Sequence, residues 1–557
     1  MDIAAEGISS TNLDHHGLVA ATCQDLGLSE KINRLLGPKN SQRVVSAGTS
    51  VVAMILNGLG FTNRRLYLTP QFFENKPVSR LLGEAIEASS LTDHTLGQTL
   101  DEIAAYGSSK LFGEVAFDVA LEQDLLSNRC HLDTTSLSVQ GEYANSTGGS
   151  APHLTYGHSK DHRPDLKQVV LSLTVNGPAN LPLWMETLDG NSSDKANFHD
   201  TIHKVQAFQS QIAVTEPFKW VADSALYSKD RLLAKNDYLW LSRVPETLKE
   251  AKTLVSLPKD ELSWTPRGKG YQTARHTSNY GEVRQRWLLV YSEQAYQREA
   301  KTLERRLGKQ ETQLEKAHRQ LSKQVFSCRE DAMAALKPLI KQYGYFELTP
   351  TVGTIEQYLE KGRPAAGVKK AVVGYQLTVK VCRNEVIIEQ ARNRKGRFIL
   401  ATNDLDERRC PDEQMLQEYK EQQGVERGFR FLKDPWFMVD SVFLKSPKRI
   451  EALMMVMTLC LLIYNVAQYR LREQLSNKQE TLPNQLNKPV QNPTLRWIFQ
   501  VMEGISIVQL PTGMVRDGVG RQWVTNLTAV RLKIIRLFGD TACGMYGLIP
   551  ENSGSSL

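Results

Sequence analysis

The sequence predicts an α/β protein: a mixed-sheet core preceded by an all-helical N-terminal domain and interrupted by a β-rich insertion. Three observations predict it. Residues 1–125 repeat apolar side chains at three-and-four spacing, as in Val51, Val52, Ile55, Leu56 and Leu59. From residue 128 onward, short β-branched runs alternate with helical ones, the pattern of a mixed sheet. Between residues 246 and 395 that alternation stops, and a long charged helix stands among strand-like pieces.

A chain of 557 residues exceeds one ordinary domain, and length alone suggests about three or four. With 41% hydrophobic and 23% charged residues it has the composition of a globular protein with ample core. The net charge of +7 and pI of 8.8 permit a nucleic-acid partner without requiring one. Seven cysteines, none in a C-x-x-C pair, argue against a disulfide framework or a thiolate zinc site and fit a reducing cytoplasm. The opening Met-Asp-Ile-Ala-Ala-Glu lacks a basic segment followed by an apolar one, so no signal peptide is expected. The most apolar run, Ala452–Tyr464, falls short of the roughly 20 residues a membrane span needs and reads as a buried core helix.

The elements follow in order. Helical stretches are expected over 51–59, 78–86 and 101–120, ended at the first by Asn57-Gly58 and Gly60. His131–Val139 is a strand, 141–162 a polar loop, and Lys167–Val175 and Leu183–Leu188 two strands joined through Asn176-Gly177-Pro178. A helix over 200–208, a short buried strand Phe218–Ala222, a helix over 229–236 and a strand over 238–244 complete this part of the sheet. Trp184 and Trp220 read as core residues of their strands. Glu293–Gln324 is a long solvated helix, half of a helical hairpin, with strands expected at Ala371–Val381 and Glu385–Glu389. Arg397–Thr402 returns to a strand. Asp412–Lys433 is one long helix stopped by Asp434-Pro435. Ile450–Arg472 is the core helix. The domain reading is therefore 1–125 helical, 126–245 first part of the core, 246–395 insertion, 396–475 last part of the core, and 476–557 linker and C-terminal segment.

Three acidic residues stand where an α/β sheet gathers its function, outside strand ends and on a neighbouring helix. Asp133 lies in the first core strand, Asp223 directly follows the fourth, and Glu426 sits on the late helix. A lone Asp after a strand is ordinarily a turn or cap. Together, three carboxylates make an oxygen cage suited to a hard cation such as Mg²⁺. On one continuous helix, Tyr419, Gln422, Glu426 and Lys433 fall within about 60° of arc, with Arg430 about 20° to the side. An aromatic hydroxyl, an amide, a carboxylate and two cations make a poor core stripe. They suit one metal ligand flanked by phosphate-binding groups.

These residues resemble the bacterial insertion-sequence transposases of the DDE type, and in particular the group with the signature Tyr-x2-Arg-x3-Glu-x6-Lys. Tyr419, Glu426 and Lys433 match at that spacing, and Gln422 stands where the signature has Arg. His131-Leu-Asp-Thr-Thr-Ser, Tyr156-Gly-His-Ser-Lys-Asp-His-Arg-Pro-Asp, Val221-Ala-Asp-Ser and Glu426-Arg-Gly-Phe-Arg-Phe-Leu-Lys are similar to the same group, and the match spans residues 10–510. The resemblance implies a ribonuclease-H-like catalytic core with a β-rich insertion. It implies that Asp133, Asp223 and Glu426 hold two Mg²⁺ ions, with Mn²⁺ a substitute. Tyr419, Gln422, Arg430 and Lys433, with Lys160, His162 and Arg163 of the polar loop, are the expected DNA contacts. The implied partner is double-stranded DNA, both element ends and target, bound by a homodimer in the bacterial cytoplasm, on the nucleoid, with no membrane. The Arg64-Arg65-x-Tyr67 cluster makes the helical domain a candidate for end binding. Two other readings use the same residues: a ribonuclease-H-like nuclease that cuts without joining, and a domesticated DNA-binding protein without catalysis. Three intact carboxylates argue against the second.

Overall fold

The computed structural model describes residues 9–37, 43–61, 66–141, 143, 151–212, 214, 216–233, 238–359, 362, 367–434, 444–510 and 521–549. The chain forms two compact units, Met1–Trp240 with Gln417–Leu557, and Leu241–Leu416. It is a mixed α/β protein with many helices.

The first unit opens with strand β1 (Ser9–Asn12) and the helices α1 (His16–Asp25), α2 (Leu28–Leu36), α3 (Ala47–Leu59), α4 (Asp93–Tyr106) and α5 (Ser108–Glu122). Ser46 and Thr92 cap α3 and α4 by accepting a backbone N–H three residues on. The sheet follows as β2 (Arg129–Val139), β3 (Lys167–Asn176) and β4 (Leu181–Leu188), then helix α6 (Asp194–Gln211) and strand β5 (Lys219–Ala222). Its order is β4-β3-β2-β5. β2 pairs antiparallel with β3, and β3 with β4, while β2 and β5 run parallel. Nearly every residue of β2, β3 and β5 is buried, on both faces, as expected of strands covered by helices. Trp184 and Trp220 lie in that core, at 6% and 0% exposure.

Strand β6 (Trp240–Arg243) leads into the second unit at Leu241, followed by helix α7 (Lys249–Ser256), then β7 (Thr265–Pro266), β8 (Tyr271–Ser278), β9 (Gln285–Ser292) and the long helix α8 (Glu293–Leu321). Leu303, Leu307, Leu314 and Leu321 are the buried residues of α8. Their partners are not a second long helix, as the sequence suggested. The later pair of strands β10 (Phe346–Gln357) and β11 (Ala371–Arg383), with short helices nearby, supplies Phe346, Leu377 and Val379, and Ile388 caps the near end. Strand β12 (Arg397–Thr402) joins the antiparallel order β6-β12-β9-β8-β7. The expected strand Glu385–Glu389 is instead the start of a helix over Glu385–Asn393. Asn384 accepts the Ile387 N–H and Glu385 occupies the first turn, so capping outweighs the β preference of Val386-Ile387-Ile388.

Helix α9 (Asp412–Glu421) leads back to the first unit, where α10 (Gln423–Leu432) and α11 (Pro447–Asn477) follow. The single helix expected over 412–433 is thus two, meeting at Gln422 (φ −55°, ψ −23°). Helix α11 is the core helix: among the described residues it alone is long and apolar enough to cross a membrane, yet 83% of its most apolar stretch is buried inside the protein. After residue 476, where the sequence suggested a linker to a small C-terminal segment, the described part is structured. It carries α12 (Leu495–Val501), β13 (Ser506–Leu510), β14 (Arg521–Val524), α13 (Ala529–Leu537) and α14 (Asp540–Met545). β13 pairs with β1 from Ser9↔Gln509 to Asn12↔Ser506, so the two ends of the chain share one sheet.

Candidate active site

Register places the first two carboxylates. The parallel pairing of β2 and β5 runs Arg129↔Lys219, Cys130↔Trp220, His131↔Val221 and Leu132↔Ala222. The next residue on each chain is Asp133 and Asp223. Adjacent strands lie about 4.8 Å apart, so the two aspartates leave neighbouring strands side by side. Asp133 Oδ1 accepts the Thr134 N–H at 2.7 Å and Asp223 Oδ1 accepts the Ala225 N–H at 2.8 Å. These bonds orient both carboxylates, and both side chains are half-buried.

The third carboxylate arrives on α10, which packs on β2 and β3. Two glycines permit the close approach. A Cβ at Gly424 would collide with Asn180 Oδ1 in the β3–β4 turn. A Cβ at Gly428 would lie 3.6 Å from Leu173 and 3.0 Å from Leu461 of α11. Leu173 is the cross-strand partner of Asp133, and directly opposed residues of antiparallel strands share a face. Gly428 therefore brings α10 over the sheet at the level of Asp133. Glu426 lies within this span of the helix, on its exposed side, while Val425, Phe429 and Leu432 are buried.

The other expected contacts fall in different surroundings. Arg430 is exposed, Tyr419 half-buried, and Gln422 buried at the break between α9 and α10. Lys433 Nζ sits between both oxygens of Asp161, at 2.7 and 2.8 Å. Lys160 Nζ donates to the Thr134 carbonyl at 2.6 Å and to Thr134 Oγ1 at 3.3 Å. Its own N–H donates to Ser136 Oγ. Arg163 is bidentate to Asp165, and His162 is exposed with a left-handed φ of 57°. The loop from 156 to 166 is thus folded against the C-terminal part of β2. Arg64 and Arg65 lie outside the described residues; Tyr67 is 55% exposed.

Asp133, Asp223 and Glu426 offer oxygen alone, the donor set of a hard cation. The in-register aspartates fit one. Among the described residues, no three His, Cys, Asp or Glu side chains are already drawn together closely enough to hold an ion. The candidate site is therefore two half-buried aspartates that follow paired strand positions, with an exposed glutamate on the covering helix. Beneath that helix, burial, and then the charge of Arg129, push the His131 pKa down to about 4, so this ring is neutral near pH 7.

Sequence reasoning missed the far end of the same strands. Lys219 Nζ lies 2.7 Å from Glu418 Oε2, and Arg129 lies 3.7 Å from Glu418 and 3.6 Å from Glu421. A signal was present: a cation stands four positions before each aspartate, Arg129 before Asp133 and Lys219 before Asp223.

Comparison with known proteins adds the following. A family profile described as "Transposase DDE domain" matches residues 129–463, and one described as a domain of unknown function, DUF4277, matches residues 8–117. No curated protein matches. A solved structure, "Cryo-EM structure of piggyBac transposase synaptic complex with hairpin DNA (SNHP)", aligns over 98% of this chain and 89% of its own at 8% identity. Its TM-score is 0.37, too low to carry an argument.

Proposed function

The chain belongs to the transposase DDE domain family and is a DNA transposase, and from that premise we propose that it cuts DNA at element ends and joins the freed 3′ ends to target DNA at Asp133, Asp223 and Glu426. The observation that supports this most is the register that sets Asp133 beside Asp223 under the helix carrying Glu426. On this reading the β2–β5 sheet with α10 and α11 is a ribonuclease-H-like core, and residues 246–395 are its insertion. The 1–125 helical domain is an end-binding module on the same reading.

When bound, two Mg²⁺ ions, or Mn²⁺, would supply the charge neutralisation for in-line displacement at phosphorus. Asp133 and Asp223 would hold them through carboxylate oxygens kept in place by the Thr134 and Ala225 N–H groups. Glu426 would complete the oxygen set from the helix. Lys160, Arg430 and Lys433 bring positive charge to the DNA backbone around that point, and His162 and Arg163 extend it along the loop. The partner is double-stranded DNA, engaged in the cytoplasm by two copies of the chain, one for each end.

A nuclease that cuts without joining would use the same residues. A pre-cut end bearing a free 3′-hydroxyl, incubated with target plasmid and Mg²⁺, separates the two. The transposase reading predicts covalent end–target joints, absent in EDTA. Cleavage of uncut ends with no joints from pre-cut ends would leave the nuclease reading standing.

A further inference from the structure

We infer that Glu418 is a positioning residue: by clamping Lys219 and Arg129 at the start of β5 and β2, it sets the height at which Glu426 meets Asp133 and Asp223. The inference rests on the assignment of those three carboxylates. Lys219 and Arg129 are register partners, so one side chain from the helix engages both strands at once. Glu418 is 1% exposed and Lys219 7%, so the contact is made out of water, where removing one charge strands the other.

The spacings agree. From Arg129 to Asp133, and from Lys219 to Asp223, is four residues, about 13 Å of strand at 3.3 Å per residue. From Glu418 to Glu426 is eight residues, about 12 Å of helix at 1.5 Å per residue. The helix travels in the direction of β2: Gly424 lies on Asn180, beyond the end of β3 that pairs with Cys130, and Gly428 lies on Leu173, opposite Asp133. Gln422 keeps right-handed helical angles, so the break between α9 and α10 does not reverse that direction. A clamp at one end of the strands therefore acts together with the packing of Gly424 and Gly428 to fix the level of the exposed glutamate at the other. The Glu426 side chain is itself exposed, so its level follows from where the helix is held.

The test uses the full-length protein bound to a DNA end. Mn²⁺ affinity of the complex is read by electron paramagnetic resonance and, separately, the Mg²⁺ concentration for half-maximal cleavage is measured. Groups that orient metal ligands typically change metal affinity by about 10–100-fold. Glu418→Gln, which keeps the shape and removes the charge, is expected to weaken Mn²⁺ binding about tenfold, to raise the Mg²⁺ requirement equally, and to leave end affinity unchanged. Glu418→Asp keeps the charge on a shorter arm and is expected to recover most of the metal affinity. Wild-type Mn²⁺ affinity in Glu418→Gln, with only an earlier melt, would overturn the inference. Should that variant not fold, wild-type metal affinity in a Lys219→Gln variant would overturn it equally. Asp133→Asn serves as reference: if it too binds Mn²⁺ and cleaves normally, the assignment of the carboxylates itself fails.

Discussion

Lys433 follows the last residue of α10, with its ammonium gripped by Asp161 of the loop before β3. A phosphate arriving there has to replace a carboxylate, and the pair is partly exposed, so its own worth is modest. If Lys433 contacts DNA, Lys433→Ala should weaken end binding similarly across sequences and lower the salt slope by roughly one unit. Asp161→Asn should do the reverse, tightening end binding at low salt by releasing the cation. Affinity measured from low to moderate salt for both variants decides it: lines superimposed on wild type would mean that Lys433 serves only to tie down the loop. At this scale the sequence was informative about position: Asp133 in the first core strand, Asp223 directly after a short buried strand, and Glu426 on a late helix. It could not show that Gln422 is buried, because that depends on the break in the helix and on which side packs inward. Nor could it show Glu418 clamping two strands 199 and 289 positions away, which only sheet register brings together (418 − 219 and 418 − 129).

Among the elements, α1 makes the most testable claim beyond the site. His15 and His16 are fully enclosed, stacked at 4.4 Å, with His15 also stacked on Phe499 of α12 at 4.2 Å. His15 Nε2 is bonded to the Leu59 carbonyl at 2.9 Å. Burial lowers the His15 pKa to about 4; the Leu59 bond and Asp14 oppose this and Lys76 adds to it. The unfolded chain binds this proton below about 6.5 and the native chain only near 4. Stability from this group is therefore complete above pH 6.5 and is lost as pH falls toward 4, by up to about 3 kcal/mol. Urea midpoints at pH 7.5 and pH 5 should differ for wild type and differ less for His15→Gln; equal shifts in both would refute the assignment. Strands and the core helix were legible here because β-branched runs and a long apolar stretch leave little choice. The helix at Glu385–Asn393 was not, since three consecutive β-branched or bulky residues read as a strand until the Asn384 cap is counted.

For the whole molecule, the least legible feature was the closure of the first unit. Residues 476–557 are rich in Ser, Asn, Gln, Lys and Pro at their start and suggested a linker to a small C-terminal segment. Instead β13 pairs with β1, Tyr546 of the last turn donates to the Asp14 carbonyl, and Arg80 bonds the Met545 carbonyl. Contacts between residues some 500 positions apart leave no periodicity to read. The core itself was legible because its strands and helices alternate locally. The family assignment adds that the 129–463 stretch matches a transposase DDE domain, and the first unit surrounds the ends of that stretch with chain from both termini.

The central claim is that Asp133, Asp223 and Glu426 act together as the metal-holding triad. The most direct measurement is cleavage of a labelled element end by Asp133→Asn, Asp223→Asn and Glu426→Gln, with end binding followed on the same samples. Removing a metal ligand takes away transition-state stabilisation and leaves the phosphate contacts in place. Each variant should bind the end as wild type does and lose cleavage by about a thousandfold or more, since each supports the same step. A variant that binds and cuts at the wild-type rate in Mg²⁺ would remove its residue from the triad and contradict the account.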